Sequence, residues 1–253
     1  MNCEVLNIVV PMAGRGSRFT KAGYDLPKPL LPVRGRPMVE VVIDNLRPSC
    51  LHRFIFICQR EHIISHGLDR ALLRMVPTAE IIPIDRVTEG AACTVLLAER
   101  FINTDEPLMI ANCDQYVAVG IDDYLCAMEV ESYDGFIMTM MAADPKWSFI
   151  RLDDVGRVTE VVEKQVVSSE ATVGIYNYRH GRDFVSAAKA MILADDRVNG
   201  EFYVAPAYNY MIRKAQRIGF MNIGADRAGM YGLGVPEDLQ FFNTLPEMPR
   251  ACR

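Results

Sequence analysis

An α/β fold is predicted, a doubly wound mixed sheet whose strands are mostly parallel and covered by helices on both faces. Three observations lead there. Short apolar or β-branched runs alternate with stretches of helical spacing as far as Met141, the rhythm of βαβ units. The first run, Val5 to Pro11, breaks straight into Ala13-Gly14-Arg15-Gly16, as a buried strand does when it empties into a tight loop. From Trp147 the rhythm changes to closely spaced strand-like runs, which antiparallel pairing explains most economically. Residues 1–145 and 146–253 are read as two halves of a single domain, the default for a chain of 253 residues.

After Val5–Pro11, strands are predicted at Arg53–Cys58, Ala79–Ile84, Pro107–Ala111 and Gly135–Met141, each short and apolar or β-branched. Between them Val39–Leu46, Ile63–Met75 and Ala91–Phe101 have helical spacing. In the second half Ser148–Leu152, Arg157–Val162 and Ala171–Tyr178 read as strands, with turns at Asp153-Asp154 and Val167-Ser168. A helix follows at Arg182–Leu193, where Phe184, Ala187, Ala188, Met191 and Ile192 share one core-facing stripe. A helix at Tyr203–Lys214, a strand at Ile218–Ile223 and a last helix opened by Pro236-Glu237-Asp238 complete the chain. No internal repeat, linker or hexapeptide β-helix motif is present.

Composition narrows the function. The chain is 50% hydrophobic, 23% charged and 9% aromatic, ordinary globular usage that excludes long disorder and a coiled coil. The net charge of −5 argues against a nucleic-acid partner. Its distribution is uneven: through Arg60 there are nine basic and four acidic residues, against 18 and 28 in the remainder. A local cationic site for a small polyanion fits this asymmetry, as does a chance cluster of solvated arginines. Seven scattered cysteines, with no C-x-x-C and no zinc-like Cys/His spacing, read as reduced thiols. No basic leader and no membrane-length apolar window are seen, so a cytoplasmic protein is expected.

The strongest local feature is Met12-Ala13-Gly14-Arg15-Gly16-Ser17-Arg18-Phe19, followed nine residues later by Lys28 in Leu-Pro-Lys-Pro-Leu. Glycines at 14 and 16 allow backbone N–H groups to converge into a phosphate nest, with Arg18 and Lys28 adding mobile positive charge. A plain turn fits the glycines equally. Phe19 at the third glycine place excludes a dinucleotide fingerprint, and the G-K-[ST] of a P-loop is missing. Asp114 in Asn112-Cys113-Asp114 ends a buried strand, where a carboxylate can hold Mg²⁺ against phosphates or merely cap a turn. His62 and His66 lack the intervening Glu of a zinc helix. No serine or cysteine sits in a triad-like context.

The stretch Val10–Met38, with glycine loop, arginine, Pro-Lys-Pro and Gly-x-Pro-Met in order, resembles the N-terminal signature of the nucleotidyltransferases that make nucleoside-diphosphate sugars and related activated metabolites. Further matches run through most of the chain: Glu89-Gly90-Ala91-Ala92, Asn112-Cys113-Asp114, Glu163-Lys164, Gly174 with Tyr176, and Gly200-Glu201-Phe202-Tyr203. The resemblance implies a Rossmann-like fold. It implies a nucleotide site at Met12, Ala13, Gly14, Arg15, Gly16, Ser17, Arg18, Lys28, Glu89, Gly90, Ala91 and Asn112. Arg18, Lys28 and Lys164 would be catalytic, Asp114 would bind Mg²⁺, and Glu163, Lys164, Gly174, Glu201 and Tyr203 would meet the acceptor. The partners would be a nucleoside triphosphate and a phosphorylated small molecule, with a homo-oligomer compatible.

The M-A-G-x-G-S-R-F loop is similar to the cytidylyltransferase branches and favours CTP. Lys146-Trp-Ser-Phe and Asn199-Gly-Glu-Phe-Tyr-Val-Ala-Pro206 look like a group found with capsule and surface-polysaccharide pathways. The acceptor is left open between a sugar-1-phosphate and another phosphorylated metabolite such as phosphoglutamine or phosphocholine. One departure stands out: Gly232 occupies the place of the family's second metal-binding aspartate, leaving that ligand unknown, with Asp226 as a candidate. Gly232 motivates a second reading, a non-catalytic nucleotide-sugar sensor; Arg18, Lys28, Asp114 and Lys164 argue against it. A dehydrogenase is a distant third.

Overall fold

The computed structural model describes residues 4–248; Cys3 and Cys252, read above as reduced thiols, lie outside them. In chain order the first half contains β1 (Leu6–Met12), α1 (Ser17–Lys21), a 3-10 turn (Lys28–Leu30), β2 (Pro32–Val33), β3 (Arg36–Pro37), α2 (Met38–Leu46), β4 (His52–Gln59), α3 (Arg60–His66) and α4 (Leu68–Met75). It continues through β5 (Glu80–Ile84), α5 (Ala91–Leu96), α6 (Glu99–Ile102), β6 (Leu108–Ala111), β7 (Gln115–Val117), α7 (Ile121–Val130) and β8 (Gly135–Met141). The second half adds β9 (Ser148–Leu152), β10 (Val158–Glu163), β11 (Glu170–Tyr178), α8 (Gly181–Leu193), α9 (Ala207–Ile212), β12 (Ile218–Asp226), β13 (Gly229–Gly232) and α10 (Pro236–Thr244).

One mixed sheet runs β5-β4-β1-β6-β11-β8-β12-β13-β7, with β9 joining β11 to β10. β1 pairs in parallel with β4 and β6, and β4 with β5. β11 inserts antiparallel between β6 and β8. The second half therefore completes the sheet rather than forming a separate layer. β1 is buried along nearly its whole length because both faces are covered. Ile8 and Val10 join α2, α4 and α7 in one core, while Val9 joins α5, α8 and α9 in the other.

The predicted helix Ile63–Met75 is two helices, because Gly67 takes a left-handed φ of 62° and caps α3. Ala91–Phe101 likewise divides between α5 and α6. The helix expected from Tyr203 starts only at Ala207, since the Phe202 backbone is bonded to Glu89 and Ala92. α7, not predicted, buries Ile121, Tyr124 and Met128 at helical spacing. Among the described residues all five cysteines are free, and burial pushes the Cys58 thiol up to about 12. No helix of the described residues is long and apolar enough to cross a membrane.

Candidate active site

The carboxyl ends of β5, β4, β1 and β6 open onto one groove, where doubly wound sheets bind ligands. β1 stops at Met12, and Gly16 turns the chain into α1 with a φ of 60°. Gln59, at the end of β4, donates from Nε2 to the Ala13 carbonyl at 2.7 Å, fixing the start of the glycine loop. Lys28 stands in the 3-10 turn between Pro27 and Pro29, whose rings restrict the backbone on either side. Its Nζ lies 2.8 Å from Asp114 Oδ2. Burial opposes the Lys28 charge, but the Asp114 carboxylate, together with Cys113, outweighs it, so its pKa is raised.

Asp114 is itself held by its backbone, whose carbonyl accepts from Leu233 N at 2.8 Å. A side chain at Gly234 would place Cβ 2.5 Å from Asp114 Oδ2, so glycine there keeps the carboxylate where it is. Asn112 N donates to the Gly174 carbonyl. Gly174 has a φ of 82°, and a Cβ on it would fall 2.1 Å from Asn112 Nδ2. It thus acts by making room beneath Asn112.

Three cavities lie along this groove. The largest, about 800 Å³, is lined by Arg15, Gly16, Lys28, Gln59, His62 and Arg86 among others. The central one, about 320 Å³, contains Met12, Ala13, Gly14, Gly90, Ala91 and Asp114, and shares Lys28 with the first. The third, about 310 Å³, contains Trp147, Glu163, Lys164, Gly174, Tyr176 and Tyr203, and shares Ala91 and Asn112 with the second. Lys28 and Asp114 therefore sit between a cavity lined by charged groups of both signs and one lined by aromatic and hydroxyl groups.

In the third cavity burial pushes the Glu163 carboxyl up, against a hydrogen bond from Ser148 Oγ. Lys164 adopts a left-handed φ of 55°, uncommon for a residue with a side chain. Its Nζ bonds the Tyr203 hydroxyl and lies 4.4 Å from that ring's centroid; the hydroxyl contact raises the ammonium pKa despite partial burial. Lys146 Nζ similarly lies 4.9 Å from the Trp147 ring centroid.

Other predicted residues fall differently. Ser17 and Arg18 are on α1, exposed or nearly so and outside the three cavity linings, with Arg18 near enough to oppose the Lys28 charge. The Glu89 carboxylate is held by Arg197 at 2.6 Å. Glu201 lines the central cavity rather than the third. Asp226 is exposed at the end of β12 and does not line the cavity of Asp114. Gly232 brings no carboxylate; a Cβ there would lie 3.3 Å from Asp238 Oδ2, and Asp238 is paired with Arg227 at 2.9 Å. Gln59 is a further site residue, a polar group ending a buried strand as Asp114 does, and Ser148 of the Lys146-Trp-Ser-Phe segment is another.

Among the described residues no three candidate ligands cluster into a metal cage. Mg²⁺ commonly takes one or two protein carboxylates and completes its shell with water and substrate phosphate oxygens. Asp114, one-quarter exposed in the central cavity, fits that donor set.

The groove and its lysine-carboxylate pair define a nucleotide-processing α/β enzyme. Residues 8–140 match the MobA-like NTP transferase domain; the chain belongs to that family and is a nucleotidyltransferase. It is 25% identical over 240 residues to the UTP–glucose-1-phosphate uridylyltransferase AglF of Haloferax volcanii, covering 92% of this chain and 93% of that one. The nucleoside-diphosphate-sugar pyrophosphorylase of Vibrio cholerae RC9 has a TM-score of 0.80 at 24% identity, over 94% of this chain and 100% of that one. The inositol-1-phosphate CTP transferase of T. maritima has a TM-score of 0.72 at 14% identity, over 98% and 99% of the two chains. The last two likenesses speak for the fold, which is the Rossmann-like one expected.

Proposed function

We propose that the protein is a cytoplasmic, Mg²⁺-dependent enzyme that transfers the nucleotidyl group of a nucleoside triphosphate, CTP in first place, to a sugar-1-phosphate. The observation that carries the reading is the Lys28–Asp114 pair at 2.8 Å in the central cavity, which shares residues with both of the other two. An acceptor-phosphate oxygen forms a bond to the nucleotide α-phosphorus as the bond from that phosphorus to the bridging oxygen breaks, releasing pyrophosphate. The attacking phosphate is already anionic at neutral pH, so no general base is needed. The task is to align two repelling anions and neutralise their charge.

Backbone amides of Gly14–Arg18 would receive the β- and γ-phosphates, with Arg18 supplying mobile charge. Lys28 stabilises the charge that grows at the α-phosphate. Asp114 would hold Mg²⁺, which when bound neutralises phosphate charge. Asn112, shared by the two cavities, stands where the two substrates meet.

The aromatic faces of Trp147 and Tyr203 are already covered by Lys146 and Lys164. That arrangement favours an acceptor phosphate with hydroxyl groups over one bearing a quaternary ammonium, such as phosphocholine, whose cationic head group would compete with both lysine ammonium groups. Glu163, Ser148 and Tyr176 are suited to the hydroxyls. The relative acting on glucose-1-phosphate supports a sugar acceptor, and the loop resemblance supports CTP. The segments resembling the capsule group point to a product used in surface-polysaccharide assembly.

The test is pyrophosphate release from each common triphosphate with Mg²⁺ and a panel of sugar-1-phosphates, phosphocholine and phosphoglutamine. CTP with a sugar-1-phosphate is expected to give the highest kcat/KM. Binding without turnover across the panel would contradict the reading.

A further inference from the structure

Arg197 is outside every motif discussed above, yet its exposed guanidinium makes four contacts with segments that adjoin residues of the central and third cavities. Nη2 lies 2.6 Å from Glu89 Oε2, Nε 2.5 Å from Asp195 Oδ1, and Nη1 3.3 Å from the Gly200 carbonyl. The guanidinium carbon lies 4.2 Å from the centroid of the Phe202 ring. Such a planar fork can satisfy carboxylates and stack on an aromatic ring at once.

The two chain segments that Arg197 clasps are also joined by backbone. Phe202 N donates to the Glu89 carbonyl at 2.9 Å, and Ala92 N donates to the Phe202 carbonyl at 3.0 Å. Gly90 lies within this seam with a φ of 139°, and a Cβ on it would fall 2.3 Å from the Phe202 carbonyl oxygen. On one side of the seam Gly90 and Ala91 line the central cavity; on the other Tyr203 lines the third, with Lys164 bonded to it.

We propose that Arg197 is a positioning residue that holds the nucleotide-side edge, Gly90–Ala91, in register with Tyr203 on the acceptor side. This rests on the assignment of the two cavities to nucleotide and acceptor. In-line transfer is sensitive to the relative placement of its two anions, and a misplacement of about 1 Å can cost on the order of a hundredfold. Arg197 touches neither substrate in this account. Loosening it lowers kcat at saturation more than it weakens nucleotide binding.

The test compares wild type with Arg197→Ala, Arg197→Lys and the milder Asp195→Asn, reading amide hydrogen exchange, thermal melting, MgCTP affinity and kcat with the acceptor that wild type turns over. In folded Arg197→Ala the Ala92 and Phe202 amides are expected to exchange about tenfold faster, with kcat down about tenfold and MgCTP affinity within about twofold of wild type. Arg197→Lys should rescue poorly, because an ammonium cannot reproduce the fork and the stack. Asp195→Asn, which keeps an acceptor for the fork, should show the same pattern more weakly and decides the matter if Arg197→Ala does not fold. Faster exchange with unchanged kcat would overturn the positioning role, as would a fall in kcat with unchanged exchange. Wild type inactive over the whole panel would instead contradict the function proposed for the site, and the exchange comparison then judges the seam alone.

Discussion

The proposed chemistry depends most on Lys28, a cation that lines both the first and the central cavity. Lys28→Ala is expected to lower kcat about a hundredfold or more, as loss of a single transition-state donor does, while the melting temperature changes little; steady-state kinetics and thermal melting separate the two. The raised Lys28 pKa keeps it charged at ordinary assay pH, so no limb of the neutral pH–rate profile should come from it. Glu163 is different. Burial raises its pKa above the unfolded value, so folding favours the protonated form. That stabilisation is complete below the unfolded carboxylate pKa and is lost as the pH rises through the raised folded value. Glu163→Gln, neutral throughout, should therefore melt no lower than wild type at neutral pH and should flatten any acid-side rise in acceptor KM. Lys28 and Asp114 were legible from the sequence because each follows a short buried or proline-bounded segment. Arg197 was not, since its partners are brought together only when residues 195–202 return to Glu89.

At the scale of the element, two asparagines finish strand edges that lack a partner strand. Asn209 on α9 accepts from Val161 N and donates to the Val161 carbonyl, both at 2.8 Å, and Asn45 on α2 does the same to Val117 of β7. The first bond pair ties α9 to the strand that carries Glu163 toward Lys164. Asn209→Ala leaves a strand donor and acceptor unpaired and should cost about 1–3 kcal/mol in urea unfolding, with a raised acceptor KM. Gly174→Ala would force a side chain into a left-handed conformation, costing about 1–3 kcal/mol, and would displace Asn112, so both stability and kcat should fall. Strands such as β1 and β4 were readable because burial on both faces makes them continuous apolar runs. Helix boundaries were less so: the left-handed cap at Gly67 and the Phe202–Glu89 pairing that delays α9 are tertiary outcomes. The helical spacing of α7, at Ile121, Tyr124 and Met128, is present in the sequence.

Over the whole molecule, the two halves anticipated from the change of rhythm at Trp147 share one sheet, because β11 is hydrogen-bonded to β6 and β8 of the first half. We expect the chain to unfold as a single unit, giving one calorimetric transition whose van't Hoff and calorimetric enthalpies agree; two resolved transitions would show that the halves fold separately. The same insertion sets the third cavity against the central one, since Asn112 after β6 and Gly174 within β11 are bonded neighbours. The α/β class and the position of the groove followed from the alternation of runs and the glycine loop. The insertion of β11 did not, because antiparallel partners across a sheet leave no local mark in sequence.

A crystal structure of the protein with CTP and Mg²⁺ tests the central claim most directly. The triphosphate should lie along Gly14–Arg18, its α-phosphorus next to Lys28 and facing the cavity of Lys164 and Tyr203. A triphosphate bound away from that loop, or an α-phosphorus turned from the Lys164 cavity, would contradict it.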